Sequence, residues 1–131
     1  LIVIVEYNST FGFEKKISIP YKHDFERSKA HHSNLYWGAS IEALKFLAKQ
    51  KGYKFLTTNS AGNNAYFLKE NIFDKIKWDL KKNTYQSKFR ESRDESGKKT
   101  FINYDKRLSI IGHLEVEDVE TNKLYKLSKL L

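Results

Sequence analysis

The stretch Tyr53-Lys-Phe-Leu-Thr-Thr-Asn-Ser-Ala-Gly-Asn-Asn-Ala-Tyr-Phe-Leu68 predicts two strands joined by a short loop. Both ends are rich in aromatic and apolar residues that favour strands. The loop between them contains three Asn, one Ser and one Gly, and Asn and Gly adopt turn conformations at low cost. The amides of Asn59, Asn63 and Asn64 also carry hydrogen-bond donors and acceptors. Two interpretations stay open: a plain turn, or a polar rim that contacts a ligand.

A helix is predicted directly before this strand–loop–strand unit. Ser40 is a suitable N-cap, and Gly52 fits the position just after the last turn. The apolar residues that recur at helical spacing along one face are Ile41, Leu44, Leu47 and Ala48. We expect this apolar face to pack in the core.

The chain opens on a continuous apolar run, Leu1-Ile-Val-Ile-Val5. A run without alternation is typical of a strand buried on both faces, usually in a parallel sheet. Such a strand needs neighbours on both sides, so we expect the chain to be the C-terminal part of a longer protein. In isolation its exposed strand edge would favour a homodimer.

Two polar residues follow this run, Glu6 and Asn8. Ligands of open α/β sheets bind just beyond the carboxyl ends of strands, which makes both residues candidates for a binding site. The plainer interpretation is a carboxylate in a salt bridge and an Asn that starts a turn.

Between the first strand and the helix, Lys16 to Ile19 alternates before Pro20 and predicts a short edge strand. The polar segment from Tyr21 to Asn34 predicts a loop that covers a ligand, because long loops in compact domains are often functional. Within it, His31 and His32 are candidates for contacting that ligand. Adjacent His residues do not reproduce the spacing of a helical metal pair, so we predict no metal site.

The second half of the chain is polar and basic. We predict a division into residues 1–80 and an appendage of residues 81–131, which contains a short helix near Arg107 to Ile111 and a hairpin beyond it. The net charge of +8 can attract nucleic acid or another polyanion, and Lys88-Phe89-Arg90 can stack on a single strand. A basic, non-enzymatic module that binds nucleic acid, another polyanion or a protein partner is therefore a second hypothesis, although no nucleic-acid motif accompanies the charge.

The bulk composition indicates which broad class of protein the chain belongs to. The chain has 131 residues, 40% of them hydrophobic, and no Cys, which predicts a folded globule without disulfides. No apolar run approaches the roughly 20 residues of a membrane span, so we expect a soluble, cytoplasmic protein that does not bind membranes. Glycine-rich phosphate loops and nucleophile elbows are absent from the sequence.

Several short segments carry a family resemblance when they are taken in order: Val5-Glu-Tyr-Asn-Ser9, Tyr36-Trp-Gly-Ala-Ser40, Lys51-Gly-Tyr53 and Asn59-Ser-Ala-Gly-Asn-Asn-Ala-Tyr-Phe67. They are similar to the C-terminal part of class I S-adenosylmethionine-dependent methyltransferases, in particular bacterial FkbM-type relatives. Phe89-Arg-Glu-Ser-Arg-Asp94 resembles a segment that follows the hairpin in that group. The resemblance implies an α/β fold, the C-terminal portion of a Rossmann-like methyltransferase sheet with a buried strand, a helix, an antiparallel terminal hairpin and a small basic α+β appendage.

The resemblance also implies roles. Leu1 to Tyr7 matches the fifth strand of that sheet, so Glu6 would be a base and Asn8 would orient the methyl acceptor. His31 and His32 stay candidates for a lid over the substrate pocket. Asn59, Asn63 and Asn64 are secondary substrate-binding candidates, because the end of the sheet at which their loop lies depends on the direction of the last two strands. S-adenosylmethionine would bind to the longer parent protein through residues that precede Leu1, so this chain alone would bind no cofactor and show no turnover. The acceptor, a small molecule or a saccharide, is not identified by the resemblance.

Overall fold

The computed structural model describes residues 1–76, 84–85, 87 and 92–131. Its strands form two antiparallel sheets of three strands each. The chain is therefore mixed α/β, as expected. The boundary that we predict between residues 80 and 81 lies outside the described residues, as do Lys88-Phe89-Arg90 and the first part of the segment from Phe89 to Asp94.

The first sheet contains β1 (Ile2–Glu6), β3 (Tyr53–Thr58) and β4 (Asn64–Lys69), with β4 in the middle. Strands β3 and β4 form the predicted hairpin, and a bulge at Leu56 shifts their register. On the other side of β4, Glu6 pairs with Asn64. The Asn-rich loop therefore lies at the same end of the sheet as the carboxyl end of β1.

Strand β1 differs from the prediction of a buried strand in a parallel sheet. It pairs with β4 antiparallel and, among the described residues, on one side only. Ile2 and Ile4 are 51% and 57% exposed. The apolar run is thus an exposed sheet edge, because no described strand or helix covers its outer side.

Helix α2 (Ile41–Gln50) packs on the first sheet and begins and ends as its sequence predicts. The Ser40 hydroxyl accepts a hydrogen bond from the Ala43 amide at 3.1 Å, and Gly52 has the positive φ of a residue beyond a helix end. The prediction that all of the apolar face is core is wrong at Leu47, which is 49% exposed. Leu47 faces an apolar groove of about 220 Å³ beside β1.

The second sheet consists of β2 (Ile17–Ser18), β5 (Glu115–Asp118) and β6 (Lys123–Lys126), with β5 in the middle. Strands β5 and β6 are the predicted C-terminal hairpin. Strand β2, however, comes from the N-terminal part of the chain, so this sheet joins residues from both of the segments that the sequence suggested. Besides α2, the described residues form the α-helices α1 (Arg27–Ala30), α3 (Glu70–Phe73) and α4 (Tyr104–Ile111) and two short 3₁₀ helices (Ser9–Phe11 and Leu127–Lys129).

Each sheet has its own apolar core. Beside the first sheet, Tyr7 and Ile41 pack against Phe67, and beside the second sheet, Phe11 packs with Ile111 and other buried residues. A short 3₁₀ turn (Ser9–Phe11) follows β1, with Tyr7 just before it and Phe11 as its last residue. This turn connects the two cores and, as described next, forms the base of a polar cleft.

Candidate functional site

A polar cleft of about 150 Å³ lies at the carboxyl end of β1. Its walls come from the turn after β1, the segment before α2, the Asn-rich loop and residues near α4. The described residues that line it are Glu6, Tyr7, Asn8, Ser9, Thr10, Arg27, Leu35, Trp37, Asn63, Ser87 and Arg107. Three of the candidates from the sequence, Glu6, Asn8 and Asn63, therefore lie in one cleft.

Glu6 lies at the mouth of the cleft and is exposed. The plainer interpretation of this residue was a salt bridge. No hydrogen bond or ion pair of its carboxylate occurs in the part of the chain that the structure describes. A free carboxylate at this position can accept a hydrogen bond from a ligand hydroxyl or, as a base, its proton.

Asn8 is buried and holds the cleft together. Its Nδ2 donates to the carbonyls of Leu35 and Trp37 at 2.8 and 2.9 Å, and its Oδ1 accepts from the Thr10 amide at 3.0 Å. Both amide protons are used in these bonds. The contacts of Asn8 are those of a residue that starts a turn, and they leave no donor for a ligand.

The Asn-rich loop is a tight turn held by hydrogen bonds of its own Asn side chains, which leave the Asn63 Nδ2 unbonded among the described residues. The Asn59 Oδ1 accepts from the backbone amides of Asn63 and Asn64, and its Nδ2 donates to the Asn63 Oδ1 at 2.7 Å. Asn59 is thus occupied in bracing the turn, and Asn64 is the first residue of β4. Asn63 lines the cleft, and its Nδ2 donates no hydrogen bond to any described residue.

The two histidines of the predicted lid lie outside the cleft. The ring centroid of His31 is 4.3 Å from that of His32 and 6.0 Å from that of His113. Burial, and then the proximity of His32 and His113, lower the pKa of His31. The His31 Nδ1 is 2.8 Å from the Ser33 hydroxyl, so this ring braces the segment before α2.

Two arginines line the cleft that the sequence did not single out. The Arg27 guanidinium lies over the Trp37 ring, 4.7 Å from its centroid, and its Nε donates to the Asn34 carbonyl at 2.7 Å. Arg107 is 8% exposed and donates to the carbonyls of Ile102 and Ser87. No local pattern marks these residues, because only the tertiary fold brings α1 and α4 to the end of β1.

The remaining titratable residue of the cleft is Tyr7. Burial raises the pKa of its phenol, against the smaller lowering effect of hydrogen bonds with Thr58 and Tyr85. The hydroxyl donates to the Tyr85 carbonyl at 2.6 Å. A neutral, bonded phenol of this kind supports the wall of the cleft and leaves Glu6 as its free acidic group.

Among residues 1–76, 84–85, 87 and 92–131, no group of three or more His, Asp or Glu side chains is arranged to hold a metal ion. No helix in the same part of the chain has both the length and the apolar character needed to cross a membrane.

Several lysines of the described chain form ion pairs. Lys16 pairs with Glu120, Lys54 with Asp74 and Lys126 with Glu115, each on the surface. In each of these pairs a carboxylate within 4 Å offsets the charge of the lysine locally.

Comparison of the chain with models of known families, with curated proteins and with solved structures found no match.

Proposed function

We propose that the chain is the substrate-side, C-terminal portion of an S-adenosylmethionine-dependent methyltransferase-like protein. The observation that carries this proposal is the cleft at the carboxyl end of β1, where Glu6 and Asn63 present a free acceptor and a free donor. A site at this place in an α/β sheet is typical of ligand binding, and methyl transfer to a hydroxyl needs a positioned acceptor and a base.

The order of the elements supports the same proposal. Strand β1, helix α2 and the hairpin β3–β4 come in this order along the chain, and the three strands form one sheet on which α2 packs. This is the order that the family resemblance implies. The side chains of β1 are apolar on both faces, and its outer edge is unpaired among the described residues. Both features suit a strand that continues into a larger sheet.

The described residues do not fit the cofactor itself. Among them, no fully buried polar side-chain atom lacks a partner, and the unpartnered groups of Glu6 and Asn63 belong to exposed and half-buried residues of the cleft. A Cβ at Gly12 would meet the Leu131 side chain at 3.2 Å, which shows that this glycine is packed by the chain and is not a phosphate cradle. The proposal therefore assigns S-adenosylmethionine to another part of the parent protein, and we derive no step through it.

The role of this chain is to hold the acceptor. A hydroxyl bound in the cleft can donate its hydrogen bond to the Glu6 carboxylate, which takes the proton as the hydroxyl oxygen becomes methylated. The amide N–H of Asn63 orients the acceptor, a role that the sequence suggested for Asn8. Arg27 and Arg107 fix the walls through their bonds to backbone carbonyls.

The test uses the protein expressed from the complete reading frame that contains these residues. This protein is incubated with tritiated S-adenosylmethionine and a small-molecule extract of the source cells, and transfer of tritiated methyl groups to the extract is measured. Glu6→Gln should lower the rate by about 10²–10⁴-fold, the usual contribution of a general base, and Glu14→Gln should not. Equal rates for the two variants would contradict the role of Glu6. Tight calorimetric binding of S-adenosylmethionine to the 131-residue chain would contradict the placement of the cofactor site.

A further inference from the structure

We propose that the cleft binds one neutral pyranose ring, with neighbouring ring hydroxyls held by Glu6, Asn63 and Thr10. The inference deepens the proposed function, since the sugar would be the methyl acceptor. Binding of the sugar can nevertheless be measured without any methyl donor, so the two proposals can fail separately.

Two lining residues of the cleft, Glu6 and Asn63, carry a free hydrogen-bond acceptor and a free donor side by side. The Glu6 carboxylate has no partner in the described chain, and the Asn63 Nδ2 donates no hydrogen bond there. The two residues are held at one edge of the sheet, because the Tyr7 amide donates to the Asn63 carbonyl at 2.9 Å and Glu6 pairs with Asn64.

A third polar group opens onto the same cleft. Thr10 is 3% exposed, and its hydroxyl makes no hydrogen bond with any described residue. Thr10 lines the cleft together with Glu6 and Asn63. The indole N–H of Trp37, another lining residue, is likewise without a bond in the described part of the chain.

This set of groups matches neighbouring hydroxyls. A hydroxyl both donates and accepts, so one hydroxyl can donate to the carboxylate of Glu6 while the next accepts from the amide of Asn63, and Thr10 can do either. Carboxylates bind sugar hydroxyls in this manner at nucleotide sites. A ligand without hydroxyls would leave the buried Thr10 hydroxyl and the half-buried Asn63 amide unpaired, which is the basis of rejection in sites built for hydroxyls.

The volume of the cleft and the charges around it restrict the choice of ligand further. Pockets for drug-sized ligands measure about 300–1,000 Å³, so a cleft of about 150 Å³ suits a single ring. The guanidinium groups of Arg27 and Arg107 disfavour a cation, and the charge of Glu6 disfavours an anion beside it. A neutral ligand avoids both penalties.

The experiment is an amide NMR titration of the 131-residue chain. The probes are methyl α-D-mannopyranoside, methyl α-D-glucopyranoside and methyl β-D-galactopyranoside, with tetrahydropyran-2-methanol as a ring that lacks ring hydroxyls. We expect at least one sugar to shift the amides of Thr10 and Asn63 with a roughly millimolar dissociation constant. The control ring should cause no shift. If none of the three sugars shifts these amides, the inference is wrong.

Variants assign the contacts. Glu6→Gln and Asn63→Ala should each weaken sugar binding by about tenfold or more, because each removes a hydrogen bond to a ligand hydroxyl. Glu14→Gln and Asn71→Ala are matched controls on exposed positions and should bind as the unmodified chain does. Unchanged spectral dispersion shows that each variant is folded. Sugar binding that both site variants leave unaltered would place the ligand elsewhere and overturn the inference.

The outcomes separate the two proposals. Sugar binding without methyl transfer by the complete protein would retain the site and remove the proposed function. Methyl transfer to an acceptor other than a sugar, with no sugar shifting the amides, would retain the function and remove the sugar site.

Discussion

Replacement of Asn8 by Ala tests whether this residue supports the cleft or contacts a ligand. The substitution removes three side-chain hydrogen bonds of 2.8, 2.9 and 3.0 Å from a residue that is 3% exposed. A buried hydrogen bond contributes about 0.5–1.5 kcal/mol net, so we expect a loss of about 3 kcal/mol. That is a large share of the roughly 5–15 kcal/mol that stabilises a typical domain.

The assay is urea denaturation followed by circular dichroism. With a denaturant slope of about 1–3 kcal/mol/M for a small protein, the midpoint should fall by about 1–3 M. Asn71→Ala, on the exposed side of α3, is the control and should change stability by less than about 0.5 kcal/mol. Asn8→Asp should destabilise at least as strongly as Asn8→Ala, because a carboxylate cannot donate to the two carbonyls and places negative charge against them.

An Asn8→Ala variant as stable as the control would refute this reasoning. It would mean that the three bonds are exchanged for water at no cost. The amide of Asn8 would then be available to a ligand, as the sequence first suggested.

Three further outcomes follow from other parts of the fold. Ser40→Ala should lower the free energy of unfolding by about 2–3 kcal/mol in urea denaturation, because the buried hydroxyl caps α2 and also bonds to the backbone of Lys15 and β2. Equal stability of Ser40→Ala and the exposed-site control Ser60→Ala would argue against this role. The lowered pKa of His31 means that the unfolded chain binds this proton first as pH falls below about 6.5. Stability should therefore decrease through that range, less steeply in His31→Gln than in His23→Gln, and parallel pH profiles would exclude the effect. The exposed edge at β1 should cause concentration-dependent self-association in analytical ultracentrifugation, which Ile4→Lys should abolish; a monomer at all concentrations would remove this prediction.

The sequence predicted those elements that local chemistry determines. Helix α2 begins at the residue after Ser40 because a hydroxyl satisfies its first amides, and the loop from Asn59 to Asn64 turns because Asn and Gly accept the required geometry. The hairpin β5–β6 likewise has its turn at Asn122, whose φ is positive. Patterns of this kind span only a few residues, so the structure that they predict does not depend on distant parts of the chain.

The cleft was only half predictable. Glu6 and Asn8 could be named because they follow a strand, but the use of the Asn8 amide depends on carbonyls of Leu35 and Trp37, which are distant in sequence. Arg107 carries no signal at all, because α4 reaches the cleft through packing of the second core. The burial assigned to β1 was wrong for a related reason. An apolar run shows that a strand can be buried, but it does not show which elements cover it. Among the described residues, β1 has a neighbouring strand on one side only.

The pairing of β2 with β5 has a consequence for folding during synthesis. The first sheet needs nothing beyond Lys69, but the second sheet joins Ile17 to Asp118. At a translation rate of about 5–20 residues per second, β1, α2 and their hairpin can fold several seconds before β5 leaves the ribosome. During that interval Ile17 and Phe11 remain uncovered, and the cleft lacks the wall that Arg107 provides. The cleft is therefore assembled last, and any nascent chain released early would carry the hairpin without the complete cleft.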